Sequence, residues 1–144
     1  SNAKSVAIAN GATAKPITYG LTADGFNRQI TQADVTDKRL TLVADLTRPG
    51  RITETVTLKA VVSSDVDSAD QILTALAASG VESQLLVRSA VGTEVVHTVG
   101  QKADLLVGIV GKRRPDAPVE NGVDTVQFTF HLTKPSEDQV ALVA

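Results

Sequence analysis

The chain has 144 residues, 14 basic against 16 acidic side chains and a net charge of −2. It is long enough to bury its own core and too evenly charged to hold nucleic acid by bulk attraction alone. The absence of cysteine excludes a disulfide scaffold, a thiolate metal site and a cysteine nucleophile. Three Phe, one Tyr and no Trp leave an aliphatic core and no stacking platform for sugars or unpaired bases. With no apolar run approaching the roughly 18 residues of a membrane span and no charged-then-apolar leader, the expectation is a soluble protein, a single domain over 1–144 with no membrane partner.

In chain order, Lys4 to Ala9 alternate and run into Asn10-Gly11, a tight-turn pair, and Pro16 to Leu21 reads as the returning strand of an N-terminal hairpin. Ala23-Asp24-Gly25 is expected to turn again. From Arg39 the pattern has period two. Leu40, Leu42, Ala44 and Leu46 share one face, with Arg39, Thr41, Val43, Asp45 and Thr47 on the other. Arg48-Pro49-Gly50-Arg51 has the pair expected at the centre of a turn. Beyond it Val56, Leu58 and Ala60 alternate with Thr55, Thr57 and Lys59, as in a sheet with one buried and one wet face.

Residues 65–80 change period. Ser68 with Gln71 resembles a capping box, Ile72, Leu73 and Leu76 make an apolar stripe, and Gly80 is a natural C-cap, so a helix over Ser68 to Ser79 is expected. Strand patterns follow at Gln84 to Val91, Glu94 to Val99 and Asp104 to Val110. After a charged loop over Lys112 to Gly122, the last strand is Gln127 to Thr133. Phe128, Phe130 and Leu132 point inward there, and Gln127, Thr129, His131 and Thr133 outward. Pro135 to Asp138 is expected to open a helical turn. The fold class is α+β, mainly antiparallel β-sheet with one mid-chain helix.

The chemistry-bearing residues do not assemble into a catalytic set. His97 and His131 have no partners at ligand or triad spacing, so neither metal nor catalysis is expected. Asp65, Asp67 and Asp70 lack the glycine and the bidentate Glu of a calcium loop and suit a helix N-terminus instead. Gly108 to Lys112 lacks phosphate-loop spacing. Lys112-Arg113-Arg114 suits a solvated loop as well as a phosphate or intersubunit contact. The chain is expected to be no enzyme and to need no cofactor. More informative is the polar face of the sheet, where Arg39, Thr41, Thr57 and Lys59 should lie side by side. Gln127, Thr129 and His131 join them if the last strand belongs to the same sheet.

The hairpin S-V-A-I-A-N-G-A-T-A-K-P-I, the turn T-A-D-G-F and the strands R-L-T-L-V-A-D-L-T-R-P-G-R-I-T-E-T-V-T-L-K-A-V-V resemble the coat protein of the single-stranded RNA bacteriophages. Near the end, V-Q-F-T-F-H-L-T-K-P-S-E-D-Q-V resembles that family's last long strand passing into its helix. The resemblance covers about half the chain. It implies a homodimer with one continuous sheet and dimers assembled into an icosahedral shell around an RNA genome in the host cytoplasm, giving a virion. It also implies an RNA-binding face made by Arg39, Thr41, Thr57, Lys59, Gln127, Thr129 and His131. The chain departs from the family in placing its helix between strands and stopping soon after Pro135. The alternatives are a tail, tube or decoration subunit of a double-stranded DNA phage, assembling without RNA, and a monomeric ligand-binding β-sandwich.

Overall fold

A computed structural model describes residues 5, 9–11, 14–37, 44 and 46–144. A 3₁₀ turn, Thr18–Gly20, leads into β1 (Leu21–Asp37) and β2 (Leu46–Val61). Then come α1 (Ala69–Ser79), β3 (Ser83–Val87), β4 (Lys102–Val110), β5 (Arg114–Pro115), β6 (Thr125–Leu132) and β7 (Glu137–Ala141). All pairings between these strands are antiparallel, in the order β1-β2-β6-β4-β3, with β5 on β6 and β7 on β4. The expected class, a mostly antiparallel α+β fold with one helix, is the observed one.

β4 and β5 lie end to end along one side of β6, which meets β4 through Phe130–Leu132 and β5 through Val126–Gln127. In the same way β6 and β7 follow one another along β4. These two exchanges curl the sheet around its apolar face.

That face is set by register. Val56, Leu58 and Ala60 of β2 sit opposite Phe130, Phe128 and Val126 of β6, and Val110 of β4 extends the row past Phe130. All seven are at most 3% exposed. With Leu106 they pack against Ala69 and Leu73 of α1, each fully buried large side chain contributing roughly 1.5–3 kcal/mol. The helix begins and ends where expected. Ser68 Oγ accepts from the Gln71 N–H at 3.3 Å, and Gly80, at φ 65°, ends it with its N–H on the Leu76 carbonyl. Gln71 does not close a reciprocal box, because its amide donates to the Ser63 carbonyl.

Several expected boundaries shift. Arg48-Pro49-Gly50-Arg51 is not a turn: Arg48 and Pro49 sit inside β2 opposite Val35 and Asp34, at a register shift between Gln32 and Asp34. Proline is tolerated there because β6 pairs β2 only from Val56 onward, leaving that edge of β2 open. Ala23-Asp24-Gly25 likewise lies within β1, at an irregularity between Leu21 and Phe26. A Cβ on Gly25 would stand 2.5 Å from the Lys59 carbonyl oxygen, so the close approach of the two strands requires glycine. Residues Glu94 to Val99 form turns and loop rather than a strand, and 137–141 is β7 rather than a helical turn. Leu40, Leu42 and Val43 lie outside the described residues, as does most of Lys4 to Ala9.

β1 and β2 therefore make one long hairpin. Past Val56 it continues as a two-stranded ribbon unsupported by β6. Leu46–Thr55 alone reaches on the order of 30 Å at about 3.3 Å per residue. Phe128→Ala should cost about 3–5 kcal/mol in urea unfolding. Ile52→Ala, on the exposed ribbon, should stay within about 0.5 kcal/mol of wild type.

Candidate assembly surfaces

The wet face of the sheet forms as its alternation requires. Thr57 stands opposite Thr129 and Lys59 opposite Gln127, while His131, two residues beyond Thr129, is exposed opposite Ile109. Thr57, Lys59, Gln127 and Thr129 are thus brought together. Arg39 and Thr41 lie outside the described residues.

What the sequence reading missed on this face is its own counter-charge. β5 and the residue after it add Arg114 and Asp116. Asp116 accepts from Gln127 Nε2 at 2.9 Å and from Thr125 Oγ1 at 2.7 Å, and lies 3.8 Å from Lys59 Nζ. Arg114 donates to Thr129 Oγ1 at 2.8 Å. Lys59 thus faces a carboxylate, and the Gln127 amide and the Thr129 hydroxyl have partners within the face.

Two further ionic groups hold the elements in place. Arg28 comes from β1 opposite Val56, on the buried side. Its guanidinium reaches Glu54, Asp104 at 3.1 Å, Asp138 at 2.6 Å and Ser136 Oγ at 2.9 Å. Ser136 in turn donates to Glu54 at 2.7 Å, and Asp104 accepts from the Gln139 N–H at 2.9 Å. Burial alone would lower the Arg28 pKa, but the hydrogen bonds and charges of Asp138 and Glu54 hold it above its ordinary value. One cation thereby ties the base of the ribbon to β4 and β7. No local motif signals this, since its partners lie up to 110 residues away.

The second group divides the basic cluster. Lys112 is exposed, Arg114 joins the wet face, and Arg113 turns in to Asp70 of α1 at 3.0 and 3.2 Å. Asp70 is fully buried and also accepts from the Ser63 N–H and from Thr74 Oγ1. It therefore locks the helix to the loop after β4 and does more than complement a helix dipole. Burial pushes its carboxyl up, and the bonds from Arg113 and the Ser63 N–H outweigh that and hold it below the ordinary value. His97 lies away from both groups, where burial and Arg88 lower its pKa and Asn10 bonds its backbone. Among the described residues no group of three His, Cys, Asp or Glu could hold a metal ion. No helix is long and apolar enough to cross a membrane.

The remaining surfaces are edges. Among the described strands β1 pairs only with β2, and β3 only with β4. Among the described residues the path of the sheet therefore ends in β1 and β3, each paired with one other strand. Compared with known families, residues 2–144 match the model of a phage tail tube protein family. The chain belongs to the phage tail tube protein family. It is accordingly a bacteriophage structural protein and a component of the virion. No curated protein matches it.

Membership in the tail tube family corrects the resemblance to single-stranded RNA phage coats, and with it the icosahedral shell around an RNA genome. The physical reason is that strands alternating on one buried face, with Thr and Lys on the other, are common to antiparallel sheets in general. The quoted strands pair differently as well: the partner of β2 is Leu21–Asp37, not the stretch beginning at Arg39.

Because the Asp70 pKa is lowered on folding, its contribution is complete above the ordinary value of 3.8 and is lost as pH falls through the lower folded value. Acid unfolding followed by circular dichroism should therefore show a loss below about pH 4 that Asp70→Asn largely removes. At pH 7 the same variant should be less stable by about 1.5–3 kcal/mol, the range for charged hydrogen bonds, since Arg113 keeps some contact with water.

Proposed function

We propose that this protein is a non-enzymatic subunit of the tail tube of a double-stranded DNA phage, associating with copies of itself in the host cytoplasm and remaining in the virion. The observation that supports this reading best is the pair of open strands at opposite ends of one sheet. β1 runs for 17 residues and is exposed from Gln29 to Thr36. A monomeric protein blunts or covers so long an edge, because its free N–H and C=O groups recruit other strands.

β1 and β3 differ in length and sequence, so a contact of β1 on one copy with β3 on the next is heterologous. Such contacts close into rings or run on as filaments. The other face fits a tube equally well. With α1 covering the apolar side, the wet side carries paired charges and satisfied hydroxyls, suited to lining a channel without gripping what passes. Family membership supports the tube over the monomeric sandwich, and the Lys59–Asp116 pairing favours a nucleic-acid-free assembly over an RNA-filled shell.

Sedimentation velocity and negative-stain microscopy over a concentration series test this directly. Rings or tubes with a protein-like ultraviolet spectrum are expected. A chain that stays monomeric at every concentration, or forms round shells carrying RNA, would overturn the reading.

A further inference from the structure

The chain has two Asn-Gly pairs, Asn10-Gly11 and Asn121-Gly122. Such a pair can react with itself, because glycine has no side chain to keep its backbone nitrogen from the carboxamide before it. Whether it does so depends on how freely that carboxamide moves, and there the two pairs differ.

Asn10 is tied through both ends of its amide. Its Nδ2 donates to the His97 carbonyl at 2.8 Å, and its Oδ1 accepts from the His97 N–H at 3.0 Å. His97 Nδ1 stands 2.9 Å from the same oxygen. To turn toward the Gly11 nitrogen, this carboxamide has to give up all three contacts.

Asn121 is held by nothing comparable. Residues 119–122 form a turn closed by the Gly122 N–H on the Val119 carbonyl at 3.1 Å, and Asn121 takes its left-handed third position at φ 57°. Every residue from Val119 to Asp124 is exposed. Among the described residues no group bonds the Asn121 amide. The turn is fixed at its base, where the Val62 N–H donates to the Asp124 carbonyl and the Asp116 N–H to the Thr125 carbonyl, both at 3.0 Å. At the tip a single backbone bond holds the Gly122 N–H, and a bond so exposed opens without disturbing the sheet.

We propose that Asn121 is a site of spontaneous deamidation in the folded protein, and that the bonds to His97 protect Asn10. With the turn open, the Gly122 nitrogen loses its proton to a solvent base and attacks Asn121 Cγ. The new N–Cγ bond replaces the Cγ–Nδ2 bond, and Nδ2 leaves as ammonia with a proton from water. A five-membered succinimide remains. Water then adds to one of its two carbonyl carbons and breaks that carbon's bond to the Gly122 nitrogen, which recovers a proton. Opening at Cγ leaves aspartate, and opening at the main-chain carbonyl leaves isoaspartate, with one more methylene in the backbone. Either product sets a new carboxylate between Glu120 and Asp124 and makes the chain one unit more negative than its −2. Aged copies therefore differ from new ones in charge at one surface turn. The reaction needs only the chain and water, so it stands independently of the tail tube reading.

Peptide mapping by mass spectrometry, after incubation of the folded chain at mildly alkaline pH in water labelled with heavy oxygen, tests this. The peptide holding Asn121 should lose its amide and gain the label about tenfold faster than the one holding Asn10, whose amide has two backbone bonds to give up. Hydroxylamine, which cleaves succinimides, should release the fragment that begins at Gly122 and not one that begins at Gly11. In concentrated urea both amides are free, and the two rates should come within about twofold of each other. An Asn10 that reacts as fast as Asn121 in the folded protein would overturn the proposal. So would an Asn121 that keeps its amide in the folded chain while losing it in urea.

Discussion

Much of this molecule follows from a mismatch in length between paired strands. β1 and β2 are 17 and 16 residues long, but β6 has eight and pairs with β2 only from Val56 to Val61. Where three strands lie side by side, Val56, Leu58 and Ala60 find Phe130, Phe128 and Val126, and a helix covers the row. Where only two remain, the same alternation carries Ile52 and Ile30 into the open. A single strand thus supplies both the centre of the core and the arm that leaves it. The division falls at Val56, the last residue of β2 on that side to pair with β6.

At that division sits Arg28. Where the third strand ends, the core face turns from Val56 to Glu54 within one pleat, and a buried carboxylate needs a partner. Arg28 provides it and takes up Asp104 and Asp138 as well, so the base of the ribbon, β4 and β7 share one cation. Asp70 with Arg113 does the equivalent at the helix, joining α1 to the loop after β4. Neither pair need add much net stability, because charges taken from water give back most of what they gain. Their effect is on geometry: they fix the angle at which the ribbon leaves the sheet and the seat of the helix on it. An assembling subunit has to present its edges at one angle, so such fixed joints suit it.

The parts legible in the sequence are those decided by near neighbours. The Ser68 cap, the Gly80 terminus and the alternation from Val56 to Ala60 and from Phe128 to Leu132 each depend on a few adjacent positions, and the structure has them where expected. Pro49-Gly50 is ambiguous in the sequence because a Pro-Gly pair has two homes, the centre of a turn and an unpaired strand edge. Only the extent of β6 decides between them. Of the polar face, Thr57, Lys59, Gln127 and Thr129 were placed together, but Asp116 was not. Its neutralising role arises because β5 doubles back along β6, a long-range event with no local signature. The coat resemblance rests on the order and alternation of strands, which antiparallel sheets share whatever they assemble into.

The homodimer implied by the coat resemblance is a statement about symmetry. A coat-like dimer needs an isologous contact, in which one surface meets its own copy across a two-fold axis. The two ends of the described sheet are unlike, a long exposed β1 edge and a five-residue β3 edge. Joining one to the other is a heterologous contact, and heterologous contacts close into a ring where the rotation between copies allows it. Rings stacked along their common axis make a tube, so unlike edges are what the proposed function requires of the sheet.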